Sequence, residues 1–84
     1  MWVFTTDGFF SAVQLKGQPD KVLVRARARD DLVRLGQKIG FDETAITTMK
    51  LADYEFRAGL NGEVSKDAYA GYLVDAVVNG LNYE

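Results

Sequence analysis

Arginine falls at every second position in the segment VLVRARAR, residues 22–29: Arg25, Arg27 and Arg29. Two is the period of a β-strand, so a strand here sets all three side chains on one face. A guanidinium presents a rigid fork of N–H donors to carboxylates and phosphates. Arg57, in YEFRAGL at 54–60, extends the stripe if its strand lies beside the first. Basic side chains interleaved with aromatics on a sheet suit single-stranded nucleic acid, where stacking supplies ~1–3 kcal/mol per base. The same stripe also reads as the solvated face of a half-buried strand, its charges discouraging edge pairing. If the stripe binds, an acidic protein partner is as good a target as phosphate.

Other chemistry is poorly supplied. The chain contains no His and no Cys. The commonest general base, the commonest metal ligand, a thiol nucleophile and a disulfide staple are therefore all missing. Ser11 and Ser65 have no histidine to activate them, and Lys66 diverges from its neighbour Ser65 on a helix. The acids include two adjacent pairs, Asp30/Asp31 and Asp42/Glu43. Catalytic carboxylates are held apart across a substrate, whereas sequence neighbours suit helix-dipole complement and solvation. The glycines form no Walker-A or dinucleotide pattern. The expectation is a non-enzymatic protein with no cofactor and no metal.

Net charge is −2, but it is unevenly spread. Residues 1–29 carry five basic and two acidic side chains, and residues 30–84 five basic and ten acidic ones. Such a split favours a polarised surface over a uniformly basic nucleic-acid binder. Candidate partner contacts are Arg25, Arg27 and Arg57 on the basic side. Asp67 and Asp75 are candidates on an acidic helical side, which could mimic nucleic acid toward a basic channel. Trp2, close to a chain end among Phe4, Phe9 and Phe10, is either core or an interface anchor.

These side chains need elements to position them. The 84 residues make one domain, 1–84, with one small core and a thin stability margin. WVFTT and FFSAVQL flank Asp7-Gly8, the strongest short hairpin signal, which predicts a type I′ turn pairing Thr6 with Phe9, Phe4 with Ser11 and Trp2 with Val13. Both hairpin faces hold aromatics, so pattern alone does not say which points inward. KGQPD at 16–20 is a turn and KVLVRARA at 21–28 a third strand, with Val22, Val24, Ala26 and Ala28 on its apolar face. Leu32, Leu35, Gly36 and Ile39 then recur at helical spacing, predicting a helix over about 30–39, with Asp30 and Asp31 in its first turn and Gly40 past its end. AITTMKL at 45–51 and YEFRAGL at 54–60 read as two more strands joined by Ala52-Asp53, the first of them also tolerating helix. Ser65 caps a second helix whose inward stripe is Tyr69, Tyr72, Leu73, Ala76, Val77, Gly80 and Leu81, widened by Val74 and Val78. The order β-β-β-α-β-β-α predicts an α+β two-layer sandwich: an antiparallel sheet of about five strands with two helices on one face. The other sheet face is then open or used. No stretch is long and apolar enough to span a bilayer, and the absence of cysteine fits a cytoplasmic setting.

The succession MWVFTTDGFFSAV, VRARARDDL, ADYEFRA and a final Ala-rich helix ending LNYE resembles a family of small uncharacterised proteins of bacteriophages and bacteria. The marks are Gly8-Phe9-Phe10-Ser11, Val24-Arg25-Ala26-Arg27, Asp31-Leu32 and Asp53-Tyr54. The resemblance transfers no catalytic motif. It implies small host-directed inhibitors, including anti-CRISPR proteins, which occupy a surface of their target. The partner expected on that basis is a host protein or nucleoprotein complex such as a CRISPR-Cas effector, blocked sterically in the host cytoplasm. A single-stranded nucleic-acid-binding module is the rival class. A homodimeric structural protein using Val74, Val78 and the aromatic hairpin is the third.

Overall fold

A computed structural model of the chain describes residues 2–49 and 55–80. Strands β1 (Trp2–Thr5), β2 (Gly8–Leu15) and β3 (Gln18–Ala26) form a meander, followed by helix α1 (Arg29–Ile39). A 3₁₀ turn at Glu43–Ala45 leads into β4 (Ile46–Met49), then β5 (Glu55–Ala58) and helix α2 (Lys66–Gly80). The five strands form one antiparallel sheet in the order β1-β2-β3-β5-β4. The α+β class and the element order are those the sequence predicts. Lys50 and Leu51 of the expected fourth strand, the Ala52-Asp53 link, Tyr54 and Leu81 lie outside the described residues.

Both helices pack on the face formed by the even positions of β3. Val22, Val24 and Ala26 are buried there with Phe10 and Ala58, against Leu32 and Leu35 of α1 and Tyr69 and Tyr72 of α2. The apolar period of two in β3 and of three to four in α1 meet in this layer, where burying a large aliphatic side chain is worth ~1.5–3 kcal/mol. Gly40 adopts φ 95°, and its N–H donates to the Gly36 carbonyl at 2.8 Å, ending α1 as glycine does. The Ser65 hydroxyl accepts from the Ala68 N–H at 3.3 Å and caps α2.

Four local expectations are corrected. The first turn centres on Thr6-Asp7, not Asp7-Gly8: Trp2 pairs with Ser11, Phe4 with Phe9 and Thr5 with Gly8. Among the described residues only glycines have positive φ, so Asp7 does not make a type I′ turn. The reason is tertiary, because the Asp7 carboxylate is held by Tyr72 and Lys38 from the helix layer. Pro19 lies inside β3, in its fully exposed opening residues, and the turn before it shortens to Lys16-Gly17. Arg27, Ala28 and Arg29 leave the strand, which ends at Ala26: Arg27 and Ala28 are exposed residues before α1, and Arg29 is its first residue. Val77, and with it Val74 and Val78, is exposed rather than inward, the aromatic rings of Tyr69 and Tyr72 filling the contact of α2 with the sheet.

Candidate functional site

Among the described residues, the opposite sheet face carries no helix. Cross-strand register builds one row across it: Trp2 on β1, Ser11 on β2, Arg25 on β3, Arg57 on β5 and Thr47 on β4. Arg57 thus sits directly beside Arg25, because β5 inserts next to β3 instead of β4. Ser11 is buried between its neighbours although it belongs to the outer face. Phe4 pairs with Phe9 in the next row.

The aromatic part is built from the hairpin. Trp2 stacks on Phe9 with ring centroids 4.7 Å apart and planes at 19°, and Phe4 lies 5.0 Å from Phe9. The Arg27 guanidinium stands 5.9 Å from the Trp2 ring centre, within cation–π range. Trp2 is 38% exposed and Phe4 82%. So large an exposed aromatic stabilises the fold little, and it lies beside the stacked rings on the open face.

The charged part is partly self-neutralised. Arg57 Nε donates to Glu55 Oε2 at 2.7 Å, and Arg25 approaches Glu55 Oε1 at 3.9 Å. One carboxylate thus faces two guanidinium groups, while Arg27 stands over Trp2 instead. Arg25 Nε is buried without a hydrogen-bond partner. Arg29 pairs instead with Glu43 at 3.3 Å and does not join the face.

The sequence-derived candidates therefore divide between two sides. Trp2, Arg25, Arg27 and Arg57 come together on the open sheet face. Asp67 and Asp75 stand on α2, in the other layer, eight residues and so about 12 Å apart along the helix. Asp75 accepts from Asn79 at 2.7 Å and lines a groove of about 510 Å³ between the helices, with Lys38, Ile39, Ala68, Gly71 and Tyr72. No cluster of three or more potential metal ligands occurs among the described residues. Glu55 belongs to the sheet surface although it is not among the sequence-derived candidates. Glu55 was legible, since residues two apart on a strand share a face, which sets it beside Arg57.

A polar cluster joins the hairpin to the helices. Tyr72 donates to Asp7 Oδ2 at 2.7 Å, and Thr5 Oγ1 lies 2.7 Å from the same phenol oxygen. Lys38 Nζ meets Asp7 Oδ2 at 3.0 Å, and Arg34 Nε donates to the Asp7 carbonyl at 2.8 Å. Burial pushes the Asp7 carboxyl up, but hydrogen bonds from Tyr72 and Lys38 and the charges of Lys38 and Arg34 outweigh it and hold the group below its ordinary value. Burial, reinforced by Asp7, pushes the Tyr72 hydroxyl up to about 12 against the opposing Thr5 contact. Burial also raises Tyr69. This cluster ties the hairpin to both helices.

Comparison with known protein families, curated proteins and solved structures gives no match to this chain. Function is therefore argued from these surfaces.

Proposed function

We propose that this is a non-enzymatic binding protein that works by laying its open sheet face on a partner protein and occluding it. The observation carrying this reading is the union of Trp2, Phe4 and Phe9 with Arg25, Arg27 and Arg57 on one face free of helices. Trp and Arg are the residues that most often dominate protein interfaces, and aromatic anchors carry affinity while charges set partner choice and on-rate. Glu55 offsets part of the arginine charge, which favours a mixed apolar and acidic protein surface over a bare phosphate backbone. In the phage-type reading, the partner is a component of a host defence complex such as a CRISPR-Cas effector.

A pull-down from host lysate, comparing wild type with Arg27→Glu/Arg57→Glu, tests the proposal. Wild type should retain a defined protein partner, the double variant should lose it, and wild type should restore phage growth on CRISPR-immune cells. Retention unchanged by the double variant removes the sheet face from the mechanism. Failure to restore growth removes the anti-defence assignment while leaving the binding surface.

The Trp2–Phe9 stack beside three arginines supports a second reading, direct binding of single-stranded nucleic acid. Fluorescence anisotropy with single-stranded oligonucleotides separates the two. Salt-dependent binding lost in Arg25→Glu/Arg27→Glu supports nucleic acid, and no binding at low salt eliminates it.

A further inference from the structure

Among the described residues, strand β1 lies at one edge of the sheet and is hydrogen-bonded to β2 alone. The outer row of backbone N–H and C=O groups on such a strand is a template for another strand. Proteins blunt these edges with a charged residue, a proline, a bulge or a covering element. The β1 sequence, WVFT, has no charge and no proline, and its register against β2 runs without a shift. Its shortness is the one protection it has. Phe4 stands on this edge strand 82% exposed. In the helix layer, α1 packs under β2, β3 and β5, while Tyr72 of α2 reaches Thr5 of β1. Helix α2 packs chiefly against β3, and its Val74, Val77 and Val78 are exposed.

We propose that β1 pairs antiparallel with β1 of a second copy, about a two-fold axis through Val3, to make one ten-stranded sheet. Self-complementarity selects a second copy as the occupant. Pairing Val3 with Val3 sets Trp2 of each copy opposite Phe4 of the other, and residues directly opposed in an antiparallel pair share a face. The aromatic cluster then continues across the seam, both helix layers stay on one side, and the contact closes on itself as an isologous dimer does. The charges borne by β3 and β5 themselves do not oppose it. Arg25 lies two strands in from the edge, and Arg57 three. With strands about 4.8 Å apart, equivalent arginines of the two copies stand more than 20 Å from each other, well beyond the ~8 Å screening length at physiological salt. Three paired residues on each strand, two of them aromatic, make less than the ~1,600 Å² of a standard interface, so the dimer is reversible and depends on concentration. This inference does not depend on the sheet-face reading above, and its readout is mass rather than partner capture.

Sedimentation velocity and light scattering of the full chain, from low micromolar to near-millimolar concentration, test it. The wild-type mass should rise from monomer toward dimer with concentration, while amide exchange slows at Phe4, whose N–H faces the free edge. Phe4→Lys, a charge on an exposed edge position, should stay monomeric with unchanged circular dichroism. A wild type that is monomeric throughout, or a Phe4→Lys variant that dimerises as wild type does, overturns the proposal. Val77→Glu provides the control: loss of the dimer in Val77→Glu but not in Phe4→Lys moves the contact to the α2 valines and likewise overturns it.

Discussion

The Tyr72 hydroxyl donates to Oδ2 of Asp7 at 2.7 Å, joining the last helix to the first turn across 65 residues of sequence. With Lys38 on the same carboxylate oxygen, this contact pins the hairpin that carries Trp2, Phe4 and Phe9 onto the helix layer. Tyr72→Phe keeps the ring and removes the donor. Charge-assisted hydrogen bonds contribute ~1.5–3 kcal/mol, so a loss of about 1–3 kcal/mol is expected in urea unfolding. A midpoint equal to wild type would mean the hairpin is held by packing alone.

The same pair sets the dependence of stability on pH. Asp7 titrates below its ordinary 3.8, so its contribution is present above that value and lost as pH falls through the lower, folded value. Tyr72 is raised from 10.0 to about 12, so its contribution is present below pH 10 and lost as pH rises toward 12. Denaturation midpoints measured across both limbs should show Asp7→Asn flattening the acid limb and Tyr72→Phe the alkaline limb. Unchanged slopes in both variants would assign the pH response to other groups.

Gly8 stands where the chain tolerates no side chain. Its φ is +153°, and a Cβ there would lie 2.3 Å from Asp31 Cγ. The Asp31 carboxylate meanwhile accepts from the Phe9 N–H at 3.3 Å and pairs with Arg34. Gly8→Ala must therefore displace Asp31 and strain the backbone, at an expected cost of about 2–4 kcal/mol in chemical denaturation. An alanine variant as stable as wild type would show that Asp31 moves freely and that its contacts contribute nothing.

Core and surface should separate cleanly in a mutant series. Leu35 is fully buried in the helix–sheet layer, and Leu35→Ala is expected to lose about 2–5 kcal/mol. Glu55→Gln removes a partly exposed pairing with Arg25 and Arg57 and should cost only about 0–1 kcal/mol. The second variant also leaves the sheet face more positive, so its association with an acidic partner should speed up at low salt. Equal losses in the two variants would make the Glu55 pairs structural rather than part of a contact surface.

Trp2 is the only tryptophan in the chain and lies within the proposed surface. Its emission should report events there, because the ring contacts Phe9 on one side and Arg27 at 5.9 Å. Arg27→Ala should shift the emission while changing stability by no more than ~1 kcal/mol. A bound partner should shift it as well, and an indifferent spectrum on binding would place the contact elsewhere.

Much of the fold was written locally. The period-two valines and alanine of β3, Asp30 and Asp31 opening α1, Gly40 closing it and Ser65 capping α2 each act through neighbours a few residues away. The alternation also separated Trp2, Phe4, Phe9 and Val13 from Val3, Thr5, Phe10 and Ala12. That division survives the two-residue change of register in the hairpin, because an even shift keeps every side chain on its face.

Only the tertiary structure decided which of those faces is buried, since both carry aromatics and the choice depends on where the helices land. It also moved the first turn to Thr6-Asp7, through a carboxylate captured by Lys38 and Tyr72. It placed β5 beside β3, bringing Arg57 and Glu55 to Arg25, and it turned Arg29 away into α1. Local pattern determines the period and ends of an element, because those energies act within a turn or a strand. The composition of a surface assembled from four strands depends on long-range pairing, and pairing is selected by the burial of the whole core.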